Sequence, residues 1–209
     1  MKNYILRFTD NILNKIQKIR KNLQKSILKT NTVCYNILTQ KKTGVTCMYN
    51  VLDVCRYIVN YSNEKDYGIS NLKLQKILYF VQAFFLFNSK NQQPCFHERI
   101  EAWDFGPVVR EAYNEYKQFG SCNIPPIKSY TINTLGSWNQ QIVNYTDDVI
   151  STEDKTIINQ VLDAFKEHTA NDLVEITHNQ DPWLKAYRPY MNNEITNDSI
   201  REFFGNEGQ

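Results

Sequence analysis

The feature that most constrains the fold is a segment that is apolar on nearly every side. Its large apolar residues recur three or four positions apart, which predicts a helix. A helix that is apolar all round must be covered by other elements. Ser70 stands ahead of it as a favoured N-cap residue, and Pro94 follows its polar end. We therefore expect the chain to fold around a buried central helix formed by Leu72, Leu74, Ile77, Leu78, Val81, Phe84 and Phe85.

Shorter amphipathic segments flank this central helix on both sides. A near capping box at Ser151–Asp154 and a cap at Thr169 mark two helix starts, and Asp181 with Pro182 marks a third. Together with residues 51–59 and 197–204, these segments predict a mainly α, compact helical domain over residues 48–205. A strand within residues 96–103 and a short one at 130–132 predict at most one small β-hairpin.

A Gly-Pro pair is the second constraining feature, because it follows two large rings and precedes a helical pattern. Gly106 tolerates backbone angles that other residues resist, and proline suits the first position of a helix. We therefore expect a helix that begins at Pro107 and ends at Gly120, with Trp103 largely buried against it in a structural role. Its apolar face consists of Val108, Val109, Ala112, Tyr113 and Tyr116.

Charge divides the chain into a basic beginning and an acidic remainder. Residues 1–42 hold ten Lys or Arg and one acid, a net charge of +9, and the other 167 residues carry −7. Residues 1–29 predict a basic amphipathic helix and 30–47 a linker. This extension suits a membrane surface, a nucleic-acid arm or a partner helix. It equally suits a segment that is not native to the folded unit, with Met48 as the start.

No pattern of catalytic or ligand-binding residues is present. The five cysteines form no C-x-x-C pair, the three histidines have no zinc spacing, and there is no Gly-rich phosphate loop. We expect no enzyme activity, metal or cofactor, and free thiols typical of the cytoplasm. No apolar run is long enough to span a membrane. The acidic remainder disfavours nucleic acid, which leaves only the basic arm for that partner.

Two polar residues on apolar segments have competing interpretations. Lys76 and Tyr79 share a face of the central helix. Either Tyr79 is core and the Lys76 amine reaches out to solvent, or both belong to a partner-binding face. His178 is interpreted as a structural histidine that pairs with a backbone group and packs on Trp183.

Three separated blocks resemble one family. Residues 72–79, LKLQKILY, are similar to its "LKLQKLLYF" helix. Residues 101–113 resemble "EAW-x-x-GPV-x-x-x-x-Y", and 173–183 resemble "L-x-x-x-TH…PW". The family is the Panacea domain, the SocA-like antitoxins first noted among GepA-type phage-associated proteins, and the resemblance covers roughly residues 48–204. Its motif positions, as structural or partner-binding candidates, are Leu74, Gln75, Lys76, Tyr79, Glu101, Trp103, Gly106, Pro107, Val108, Tyr113, Thr177, His178 and Trp183.

The resemblance implies an antitoxin of a bacterial or prophage toxin–antitoxin pair. Such a protein neutralises a cognate protein toxin by direct contact, and one type hands its toxin to a cellular protease as an adaptor. Neither role needs catalytic residues. A DNA-binding regulator that uses the basic arm is the alternative, and a small hydrolase is a third hypothesis.

Overall fold

The computed structural model describes residues 48–88, 93–133 and 140–206. Its helices in those ranges are α1 Val51–Glu64, α2 Asn71–Asn88, α3 Arg110–Tyr116, α4 Thr152–Phe165, α5 Ala170–His178, α6 Asp181–Ala186 and α7 Asn197–Asn206. Its strands are β1 Ile100–Trp103, β2 Gly106–Val109, β3 Ser129–Asn133, β4 Gln140–Asn144 and β5 Glu194–Ile195. The mainly helical fold is confirmed. The predicted basic helix at 1–29 and linker at 30–47 lie outside the described residues.

Helix α2 is the central element, as its apolar sequence predicts. It packs against α4, α5, α7 and β2, and its residues from Lys73 to Leu86 are all buried. Phe80 stacks on Phe165 of α4 with ring centroids 4.4 Å apart. Because each side of α2 has a neighbour, the core of the domain is built around this one helix.

Side-chain caps begin several of the surrounding helices where the sequence predicts. Ser151 Oγ accepts a hydrogen bond from Asp154 N at 3.1 Å, which starts α4. Thr169 and Asp172 form a full capping box at the start of α5. These caps satisfy backbone N–H groups that have no partner within the helix.

The described residues contain more β-structure than the single hairpin we expected. Strands β2, β1 and β5 form an antiparallel sheet in that order, and β3 pairs with β4 in a second, two-stranded sheet. In the first sheet Trp103 is opposite Gly106, so Asp104 and Phe105 form a two-residue turn. We call residues 103–106 the β1–β2 turn.

The prediction that a helix begins at Pro107 is wrong, because residues 106–109 form strand β2 and α3 begins at Arg110. The two successive valines are β-branched and favour a strand. Gly106, with φ of 94°, closes the tight turn that brings β2 back along β1. The helical spacing of the apolar residues is real only from Ala112 to Tyr116.

None of the helices in the described parts of the chain is long and apolar enough to cross a bilayer.

Candidate functional site

Gly106 lies where the β1–β2 turn meets two other elements, α2 and α5. A Cβ atom there would lie 2.7 Å from Thr177 Oγ1 and 3.0 Å from Lys76 Cε. Both distances are too short for an unstrained contact with a β-carbon. Glycine is therefore required at position 106 for two reasons: the backbone φ is positive, and these two side chains approach too closely for a Cβ atom.

The Lys76 side chain has no exposed surface, so the expectation that its amine reaches solvent is wrong. Its Nζ donates a hydrogen bond to Pro107 O at 2.9 Å. Burial lowers the pKa of this amine to about 7. The amine stays inside because β2 covers this face of α2 and its carbonyl supplies an acceptor there.

Gln75, next to Lys76, also pairs with the backbone of β2. Its Oε1 accepts a hydrogen bond from Val109 N at 3.0 Å, and its Nε2 donates to Asn71 Oδ1 at 3.0 Å. Strand β2 is at the edge of its sheet, so its outward backbone groups need partners. Gln75 and Lys76 supply them, and Pro107 has no N–H to leave unpaired.

His178 and Trp183 hold the other side of the β1–β2 turn. As predicted, the two rings stack, with centroids 4.0 Å apart, and His178 hydrogen-bonds a backbone group, that of Asp104. Trp183 Nε1 donates to Trp103 O at 3.0 Å. Burial first, and the charge of Lys76 second, lower the pKa of His178.

These contacts explain most of the motif positions as one structural unit. We call it the turn support, because it holds the β1–β2 turn against α2 and α5. Two other motif residues, Leu74 and Tyr79, are core residues at 0% and 1% exposure, so Tyr79 takes no part in an exposed partner-binding face. The turn support consists of Gln75, Lys76, Gly106, Pro107, Thr177, His178 and Trp183.

Trp103 is mostly buried, as predicted, although part of its surface remains exposed. It contacts Tyr113 of α3, with centroids 5.0 Å apart, and its Nε1 donates to Glu101 Oε2 at 2.8 Å. Arg110 holds the same carboxylate at 2.7 Å and lies 5.4 Å from the Trp103 ring. Although α3 begins three residues later than predicted, its Arg110 and Tyr113 both lie against the ring.

An open groove of about 590 Å³ lies beside the β1–β2 turn. Its walls come from the turn, the start of α2, α3 and the loop after α6. Two rings at the groove are highly exposed, Phe105 at 67% and Tyr190 at 97%. We call it the aromatic groove; its large apolar lining residues are Leu72, Trp103, Phe105, Val108, Tyr113 and Tyr190.

The loop that carries Tyr190 has an unusual backbone. Tyr190 has φ of 65° and Asn192 has φ of 47°, a region that residues other than glycine rarely adopt. Such strain concentrates at functional surfaces. Neither residue was predicted to belong to a site, although the tract after Pro189, YMNN, combines exposed apolar residues with the asparagines that tolerate this conformation.

In the parts of the chain that the structure describes, no three His, Cys, Asp or Glu side chains form a group that would hold a metal ion. Burial raises the pKa of the Cys55 and Cys95 thiols well above its ordinary value.

Fold and geometry define a class: a mainly helical domain whose sequence motifs support one surface turn beside an aromatic groove. The model of the family described as "Antitoxin SocA-like, Panacea domain" matches residues 74–184, more than half of the 209-residue chain. The chain belongs to this family. A comparison with curated proteins gives no match, and neither does a comparison with solved structures.

Proposed function

We propose that this protein is an antitoxin that neutralises a cognate protein toxin by direct contact, and that the toxin binds in the aromatic groove. Membership of the SocA-like antitoxin family is the observation that carries the proposal. The groove is the location we propose, because most of the family's motif residues either line it or support the turn that forms its wall.

The chemistry of the groove suits a protein partner. Aromatic side chains supply large contact areas at low cost in conformational entropy, and they dominate the binding energy of many interfaces. Phe105 and Tyr190 stand exposed, whereas most large apolar residues of the domain are buried. A toxin segment with one or two large apolar side chains would cover both rings and displace water from the groove.

The proposed mechanism is stoichiometric binding in the cytoplasm without catalysis. Delivery of the bound toxin to a protease would be a second step that leaves the groove contact unchanged. The alternative, a DNA-binding regulator, depends on residues 1–42, whose net charge of +9 contrasts with −7 for the remainder.

A rescue test in growing cells checks the proposal. The toxin is the product of an adjacent gene that arrests growth when expressed alone, and co-expression of this protein should restore growth. The variant Phe105→Ala/Tyr190→Ala should fold with an unchanged Tm, because both rings are exposed, but should lose rescue. The matched control is Ile142→Ala, an equally exposed apolar residue at 73% on β4, which should rescue fully.

Each result has a separate meaning. No rescue by the wild-type chain from any adjacent toxic gene would contradict the antitoxin proposal. Rescue by the double variant would move the toxin interface away from the groove. A fall in toxin level during rescue, compared with a strain that lacks cellular proteases, would add the adaptor step.

A further inference from the structure

The burial of Lys76 carries a cost in free energy, because its side chain ends in an ionisable amine. Its side chain has no exposed surface, and burial is the only cause of its lowered pKa, so no carboxylate offsets the cost of its charge. A methionine would fill the same volume without that cost. The position therefore holds an amine for a reason other than packing.

The amine contacts the end of the β1–β2 turn and the first residues of β2. Nζ donates to Pro107 O at 2.9 Å and lies 3.1 Å from the place of a Gly106 Cβ. Thr177 Oγ1 lies 2.7 Å from that same place. The turn therefore fits between an amine on α2 and a hydroxyl on α5.

Three titratable groups come from the elements around this contact. His178 of α5 is close enough for the charge of Lys76 to lower its pKa, and its Nε2 is buried without a hydrogen bond to the described residues. Asp104, on the turn, is exposed and accepts a hydrogen bond from Tyr187 just after α6. No acid among them is positioned to neutralise a buried ammonium.

We propose that Lys76 is a positioning residue for the β1–β2 turn, and that the turn shifts when the Lys76 amine gains a proton. A neutral amine has two N–H donors, one of which bonds to the Pro107 carbonyl. An ammonium has three donors and a full charge, so it needs more acceptors. Helix α5 offers two candidates, the Thr177 hydroxyl, which approaches Gly106 as the amine does, and His178 Nε2, which is buried without a hydrogen bond to the described residues. Reaching them, or admitting water, displaces the turn that Gly106 seats between α2 and α5.

Phe105 and Trp103 move with this turn, so protonation changes one wall of the aromatic groove. An amine that titrates near pH 7 is neutral in about one-tenth of the molecules at pH 6 and about nine-tenths at pH 8. If the partner binds only the neutral form, its affinity is about tenfold weaker at pH 6 than at pH 8. This consequence rests on the proposed function, but the movement of the turn does not.

The indole N–H resonances of the full-length protein report the movement directly. Trp183 Nε1–H donates to Trp103 O, so its chemical shift follows the position of the turn. The three indole signals are assigned by Trp→Phe variants, and the pH is varied from 6 to 8.5. The Trp183 signal should titrate with a midpoint near 7 in the wild type and stay constant in Lys76→Met.

Lys73→Met is the matched control. Lys73 is also buried on α2 and also bonds to backbone carbonyls, but to those of Tyr67 and Lys166 rather than to that of Pro107. Its removal should leave the Trp183 titration unchanged. Should Lys76→Met fail to fold, the ¹³Cε signal of Lys76 in the wild type must show the same midpoint as the Trp183 indole.

Three outcomes would overturn the proposal: a Trp183 signal that does not change with pH, midpoints that differ between Lys76 and Trp183, or a titration that survives in Lys76→Met. The last would assign the effect to His178, which stacks on Trp183. The affinity for the toxin identified by rescue is then measured at pH 6 and 8. A missing toxin would defeat the proposed function while leaving the indole titration as an independent result.

Discussion

Single residues of the turn support act through close contacts, and Gly106 shows this most directly. Gly106 and Gly120 both have positive φ, but of these two only Gly106 has side chains within 4 Å of the place that a β-carbon would occupy. The backbone conformation and the packing of Gly106 are thus two separate reasons for glycine at this position. Substitutions by alanine at Gly106 and Gly120 distinguish the cost of the positive φ from the cost of the clash.

Gly106→Ala should lower the free energy of unfolding by about 2–3 kcal/mol, because it adds a clash with Thr177 Oγ1 to the cost of a positive φ. Gly120→Ala keeps the positive φ without a clash and should cost about 1 kcal/mol. Urea denaturation of both variants measures the difference. Equal losses in the free energy of unfolding would show that the Thr177 and Lys76 side chains move aside to accommodate the new methyl group.

At the level of elements, α2 both forms the core and completes the edge of a sheet. Its apolar residues pack on α4 and α7, and Gln75 and Lys76 bond to the outward backbone groups of β2. These two polar residues on an otherwise apolar helix are what fix the β-hairpin at one place along α2.

Gln75→Leu tests this pairing, because it leaves Val109 N–H buried without an acceptor. A lost buried hydrogen bond of this kind costs roughly 1–3 kcal/mol. Gln118→Leu, at an exposed position, should change the free energy of unfolding by less than about 0.5 kcal/mol. A loss for Gln75→Leu no larger than that of the control would mean that water satisfies the edge of β2. Thermal or urea unfolding measures the free energy of unfolding of both variants.

Patterns within one element were predictable from the sequence, whereas contacts between elements were not. The period of α2 and the caps at Ser151 and Thr169 depend on neighbouring residues, and the structure confirms them. Whether residues 106–109 form a strand or a helix depends on their pairing with β1 and on Gln75, which lies 34 residues from Val109. A Gly-Pro-Val-Val segment satisfies the start of a helix and an edge strand equally well.

The candidate groove was predictable only in part, for the same reason. Trp103, Val108 and Tyr113 belong to one sequence motif and were recognised together. Tyr190 lies 77 residues beyond Tyr113 and joins them only through the packing of α6 and its following loop. The burial of Lys76 escaped prediction because an amine on an apolar helix usually reaches solvent, and only the covering strand prevents it.

The whole molecule combines an acidic folded body with a basic extension. The core residues among those described all lie between Val51 and Phe204, inside the predicted domain of residues 48–205. They include members of every helix from α1 to α7, so this range has a continuous apolar core of its own. Stability of the domain should therefore not require residues 1–47.

The fragment that begins at Met48 should unfold with the same free energy as the full chain at high salt. At low salt the +9 extension and the −7 remainder attract each other, so the full chain should gain up to about 1 kcal/mol that fades above roughly 0.3 M salt. Urea denaturation of both proteins at two salt concentrations measures this, and the growth-rescue test compares their function. Equal rescue would make the extension dispensable for toxin binding. An insoluble fragment would show that residues 1–47 belong to the domain, because the body would then cover the apolar stripe predicted for 1–29. A soluble fragment that fails to rescue would place these residues in the toxin-binding surface, where the partner would cover that stripe.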